Sequence, residues 1–454
     1  MTSTPLPSRS TTESVLSAYL NSTFRLTFPL LDGPLFKETI TLAYSDDKTS
    51  AHLEYISARC CVFAFLSMTE LFRTAIDEFK DVDTHACAAE ARHLLPDATH
   101  NTDLTGVQCV LMLQQHETFL GRLLSAATLN GVACRMILMM GGHIHVPRRA
   151  YEYAEASREE RKANHLRTMF WICYLFDKEI ALRTSQPPFL SASYCDLAPP
   201  EAGLTYSSSD GHAGKTFAYL HGDIRISHLK EKVNRLLYSV QASRKQDAEL
   251  LQDIRQLDAE LEEWRVSLPP NIRPLLCLSR TSPRPPDERQ FPPTMRVIGI
   301  HLEYFYLLIA IHHASGRCTT LNPGTQHLDG HSSCLLDSSL ALCLEASRST
   351  IIYLREMISN LASDVFWIVQ LYPMVAIITL FSNILMNPLG SQTHLDLKLL
   401  GIAAEMFRFM PINQYSPRKL EQKQILEGFV IELARLGQCA VRKSEAQYLS
   451  WYPD

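Results

Sequence analysis

Twelve cysteines and seventeen histidines are the side chains of this sequence best suited to chemistry, and their spacing limits which chemistry is open to them. Structural zinc needs thiolates two to four residues apart, so that both reach one ion. No such pair exists: Cys60 and Cys61 are adjacent, and Cys334 and Cys343 are too far apart. His301 and Glu303 form an H-x-E, but the PCxxC that a zinc deaminase needs downstream is missing. There is no HExxH. His143 with His145, and His312 with His313, have no carboxylate nearby in sequence and read as helix-end or packed histidines. Gly214-Lys215-Thr216 ends like a phosphate-binding loop, yet Ser209 stands where its leading glycine belongs and no buried strand precedes it. No GxSxG marks a nucleophile elbow. The expectation is therefore no catalytic, cofactor-binding or metal-binding residue, and no enzyme.

A different constellation runs from Arg167 to Pro200. On a helix Leu166, Phe170, Cys173 and Asp177 share one face, while Arg167, Trp171, Tyr174 and Lys178 share the adjacent one. Large aromatic rings beside a cation and an acid predict a buried polar cluster whose acid is kept ionised by its partners. Pro187, Asp196 and Pro200 follow in the next connection. Packing of the helix, rather than ligand contact, is the role expected of these residues.

The elements that must carry this cluster are helical. Ser10 and Glu13 have capping-box spacing ahead of Leu16 and Leu20. A three-four rhythm of apolar residues recurs at Ile226–Val240, Leu250–Leu268, Ile298–His312, Leu340–Leu361 and Leu426–Leu436. The Leu250–Leu268 stripe is too short for a stable coiled coil and should pair within the chain. Period-two runs are scarce, so the class is all-α. The breaks are a Pro/Ser/Gly-rich connection at 185–215, a stretch with eight prolines at 269–293 and a loop at 316–331. Helices of like character flank every break. This predicts one large domain of packed helical hairpins with long Pro/Ser-rich loops over 14–445, between a disordered tail at 1–13 and a short tail at 446–454.

With 454 residues, 46% of them hydrophobic, the chain can bury a substantial core, and its net charge of -5 supplies no global attraction for nucleic acid. The cysteines are scattered through apolar stretches and no secretory leader opens the chain, which suits a reducing compartment without disulfides. From Val365 to Thr393 no charge occurs, but Gln370, Pro373, Thr379, Ser382 and Asn383 interrupt the run, which reads as a core helix and not a membrane span.

The segment from Arg167 through Phe170-Trp171, Tyr174 and Asp177-Lys178 to Pro187 and Asp196…Pro200 resembles the signature of the fungal-specific transcription factor regulatory domain, the middle homology region of zinc-cluster factors. Phe28-Pro29-Leu30-Leu31 with Pro34-Leu35-Phe36 is similar to that domain's opening. Ala133–His143, the Leu261, Trp264, Leu268-Pro269-Pro270 stretch, and Leu302 through His313 are similar to later helices. Lys178 stands where the family usually has arginine, and Gln186 where Gly-Arg-Pro is usual. A lysine cannot reproduce a bidentate contact, so a looser cluster is expected. The resemblance implies a nuclear regulator of transcription for a fungal metabolic or secondary-metabolite pathway. It implies protein partners, either a zinc-cluster factor or a second copy of the chain, with DNA reached indirectly and no membrane. The family's six-cysteine zinc cluster is not in this sequence, so zinc is expected only with such a cluster encoded upstream. The alternatives are a receptor module for a small hydrophobic ligand without direct DNA contact, and a truncated gene model of a full zinc-cluster DNA-binding factor.

Overall fold

The computed structural model describes residues 5–22, 25, 28–45, 52–69, 82–100, 102–145, 157–198, 224–276, 295–318, 330–358, 369–409 and 417–451. Fourteen α-helices and no strand occur among them, as the periodicity predicts. Gly214-Lys215-Thr216, Pro199, Pro200 and most of the proline-rich stretch lie outside the described residues. The chain groups into two compact units, Met1–Glu231 and Lys232–Asp454.

The first unit holds α1 (Arg9–Asn21), α2 (Gly33–Ala43), α3 (His52–Met68), α4 (Thr84–Ala98), α5 (Leu104–Phe119), α6 (Leu123–Met139), α7 (Arg158–Thr184) and most of α8 (Ile224–Val233). Side-chain caps set the helix starts: Asp32, Asp83 and Asp103 accept the backbone N–H three residues on, at 3.1, 2.9 and 2.7 Å. α1 begins inside the expected tail. Ser8, not Ser10, is its cap, and Glu13 pairs with Arg9 at 2.8 Å instead of closing a capping box. Successive helices pack as hairpins, α3 on α4 and α5 on α6, with α3 also crossing α5. α5 is buried on nearly every side, which is why its sequence shows no stripe. Part of its polar set is paired within the core, while the side-chain amide of Gln114 finds no hydrogen-bond partner among the described residues. Gln108 donates to the Leu30 carbonyl at 3.1 Å and lies 3.0 Å from His165, and Glu117 pairs with Arg92 and Arg122.

The second unit holds α9 (Asp247–Ser267), α10 (Met295–His313), α11 (Gly330–Met357), α12 (Leu371–Met386), α13 (Thr393–Phe409) and α14 (Pro417–Trp451). The α9 stripe of Leu250, Ile254, Leu257, Leu261 and Trp264 is buried, and α9 packs on α10 and on the turn after α8. That turn, Asn234–Tyr238, is a π-helix. Its extra residue shifts the register, so Leu237 is buried where Leu236 was expected and Val240 is exposed. α14 runs to Trp451, so most of the expected tail at 446–454 is helical. Its core residues are Val430, Leu433 and Val441, whereas Phe429 and Leu436 of the predicted stripe are exposed. A buried bidentate pair joins α11 to α13: Arg348 donates to Asp396 at 2.6 and 2.9 Å, and Asn383 of α12 adds a bond at 3.3 Å. Among the described residues one helical stretch, Val297–Arg317, is long and apolar enough to cross a membrane, and most of it is buried within the protein.

Candidate functional site

α7 opens with a full capping box, Ser157 with Glu160, and closes at Ser185 in the left-handed conformation, φ 56°. The reversal after Ser185 brings residues 186–198 back along the helix. Asp177 receives that returning chain. Its two carboxylate oxygens accept the N–H groups of Phe189 and Leu190, each at 2.9 Å. Lys178, wholly buried, donates to Asp177 at 3.0 Å and to the Leu190 carbonyl, and pairs with Glu231 of α8 at 3.3 Å. Its ammonium also sits 4.4 Å from the centre of the Tyr174 ring. Glu231 accepts from the Tyr174 hydroxyl at 3.2 Å, the Ser191 hydroxyl at 3.3 Å and the Ala192 N–H at 3.0 Å.

Burial pushes the Asp177 carboxyl above its ordinary range, and Lys178 with the two N–H groups pulls it back. Burial, reinforced by Glu231, raises the Tyr174 phenol and keeps it a donor. Two residues beyond Asp177, Glu179 would also be raised by burial, but Arg183 and Lys230 outweigh this and hold it well below the carboxylate range.

Arg167 forms the other end of the cluster. Its guanidinium lies 4.5 Å from the Phe170 ring centre and 5.0 Å from that of Trp171. It donates to the carbonyls of Gly142, Asp196 and Ala198 at 3.2, 2.5 and 2.9 Å. Asp196 returns an N–H to the His143 carbonyl at 2.9 Å and caps Ala198 at 2.8 Å. α7 is thus tied to the turn after α6 and to the chain that follows it. Phe170, Trp171 and Tyr174 are mutually packed, with centroid distances of 5.1, 5.7 and 6.0 Å.

The structure therefore brings together Arg167, Phe170, Trp171, Tyr174, Asp177, Lys178 and Asp196. Pro187 is exposed in the reversal, and Pro200 lies outside the described residues. The looser cluster expected from Lys178 is not what forms, because Glu231 supplies a second carboxylate that the local sequence could not show. Glu231 and Lys230 lie over fifty residues beyond Lys178 and Glu179, with which they pair, and only the Glu179–Arg183 pair was visible as i,i+4 spacing. His312 also gains an unforeseen carboxylate. Its Nε2 lies 3.2 Å from Asp258 and its Nδ1 3.3 Å from the Ser339 hydroxyl. Serine and imidazole are both buried, so this trio ties α9, α10 and α11 and offers no open nucleophile. Among the described residues no three His, Cys, Asp or Glu side chains converge as metal ligands.

What the α7 cluster does chemically is hold shape: each charged group is spent on another charge or on backbone. A helical chain built around such a cluster matches the fungal specific transcription factor domain over residues 16–266, more than half its length. The chain belongs to that family. It is 26% identical to an ABC-transporter-regulating transcription factor of Aspergillus oryzae over 98% of its own length and 48% of the relative's. The corresponding factor of Aspergillus fumigatus is 25% identical, with the same coverage. A transcriptional regulatory protein of Schizosaccharomyces pombe is 22% identical over 67% of the chain and 45% of its own length. The chain thus spans about half the length of the curated relatives it matches. No solved structure matches it.

Proposed function

We propose that this chain is the helical regulatory part of a fungal transcription regulator, working in the nucleus through protein partners and catalysing no reaction. The observation that carries this reading is the alignment of nearly the whole chain with regulators of transcription, the α7 cluster lying inside the matched domain. The geometry agrees with it, since the cluster's charges are consumed internally and leave none poised for a substrate. DNA is reached through a zinc-cluster factor, and zinc belongs to that six-cysteine cluster and not to the residues of this chain. The names of the two Aspergillus relatives make ABC-transporter genes the first targets to examine within the metabolic or secondary-metabolite programme it serves.

Chromatin immunoprecipitation of the tagged full-length chain in its own fungus tests this. Discrete promoter peaks, with altered transcript levels of the bound genes on deletion, are expected. A flat profile from a well-expressed protein overturns it.

A further inference from the structure

α6 packs inward on α5 and α7 and keeps one regular stripe outside. Leu124, Thr128, Val132, Arg135 and Met139 are exposed, at spacings of four, four, three and four. On a helix these positions fall within about 80° of arc, so they share one face. Leu124 and Met139 are bare for large apolar side chains, exposed by 80 and 66%. The chain returning from α7 runs along the edge of this face. Phe189 lies on Gly131, with a ring carbon 3.0 Å from where a Cβ would stand, and is itself 64% exposed. Further on, Asp196 donates its N–H to the His143 carbonyl at 2.9 Å. These two contacts fix residues 189–196 beside residues 131–143, which sets the exposed Tyr194 near the exposed Ile144.

The six apolar side chains of these two rows offer on the order of 600 Å², a size at which a patch on a single chain is often functional. The charge around them is one-sided. α6 has no acidic residue, and Arg135, in the stripe itself, meets no carboxylate among the described residues. No side chain caps the start of α6 and no acid stands in its first turn, whereas Asp32, Asp83, Asp103 and Ser157 cap α2, α4, α5 and α7. The positive end of the α6 dipole is left without an anion of its own. Near that end Arg92 and Arg122 share the one carboxylate of Glu117. At the opposite end Arg167 covers the Gly142 carbonyl, which offsets the negative pole. The one acid of residues 189–196, Asp196, turns its carboxylate to the Ala198 N–H.

We propose that this face binds an amphipathic helix of a partner protein, one whose apolar stripe is flanked by carboxylates. Two apolar rows about 22 Å long suit about four turns of such a helix. Leu124, Val132 and Met139 take its apolar residues, and Arg135 takes a carboxylate between them. A second copy of the face would add cation to cation. An anionic membrane would call for an array of lysines and arginines that α6 lacks. With the partner's share the contact buries about 1,200 Å², the low end for a specific interface, so a Kd on the order of 10 μM is expected. This goes beyond the regulatory reading, and because binding is measured without chromatin either one can fail alone.

The full chain and a labelled synthetic peptide test it. The peptide is a helix of about 16 residues, with leucines along one stripe and glutamates beside them. Fluorescence anisotropy is expected to show saturable binding. The same peptide with lysine for every glutamate should bind at least tenfold more weakly. Arg135→Glu should reverse that preference, and Leu124→Gln with Met139→Gln should weaken the glutamate peptide at least tenfold. All three positions are exposed, so the melting temperature should not move. No binding, equal binding of the two peptides, or binding indifferent to these substitutions overturns the proposal. So does a dimer in sedimentation velocity that Arg135→Glu dissociates, or binding to phosphatidylserine vesicles that displaces the peptide.

Discussion

Lys178 is a buried cation with three kinds of partner, and removing any one of them changes what the rest must bear. Asp177→Ala leaves the ammonium and the Phe189 and Leu190 N–H groups short of their acceptor, so a loss of about 3–5 kcal/mol is expected from urea denaturation. Asp177→Ala with Lys178→Met should recover part of it, since the stranded charge goes with its partner. Two other buried residues set a pH dependence. Burial lowers His116 to about 3 and His165 to about 4, against an ordinary value of 6.5. Each therefore folds neutral, and its contribution is complete above pH 6.5 and is lost as pH falls, because the unfolded chain takes up the proton first. From pH 7.5 to 5.5 each should cost about 1.4 kcal/mol, visible as a falling urea midpoint, and His116→Gln should remove about half of that slope. Asp177, raised by burial, titrates in the reverse sense: what it contributes is present below its unfolded pKa and is lost as pH rises through the folded one.

Helices were the most legible part of the sequence, because apolar spacing reports directly on which face is inside. The stripe of α9 is buried as read, and Leu257→Ala there should cost about 2–5 kcal/mol by leaving a cavity. Legibility failed where periodicity carries no information. α5 is enclosed all round, the π-helix at Asn234–Tyr238 moves the stripe by one residue, and α14 leaves Ile425, Phe429 and Leu436 exposed, so apolar spacing there does not mark the inner face. The α7 motif could be read as a polar cluster because its members recur every three or four residues. Glu231, Lys230 and the Asp258 partner of His312 could not, since tertiary pairing over forty residues or more leaves no local mark. Caps are intermediate: Ser157 and Glu160 form a box, and Ser157→Ala should cost about 1 kcal/mol, whereas Ser10 lost its role to Ser8 two residues earlier.

At the scale of the molecule, the division into Met1–Glu231 and Lys232–Asp454 predicts how the chain unfolds. Asp177→Ala and Leu257→Ala fall in different units, so each should shift a different transition in a calorimetric scan; a single transition moved equally by both would show one cooperative block. The α7 cluster adds a matter of timing. Its last contributor, Glu231, is also the last residue of the first unit. A ribosome adding about 5–20 residues per second needs roughly 2–8 s to pass from Leu190 to Glu231. Through that interval the nascent chain holds Asp177 and Lys178 on a finished α7 with one carboxylate of the set still unmade. Slowing translation across 190–231 therefore lengthens the time for which the cluster stays one carboxylate short.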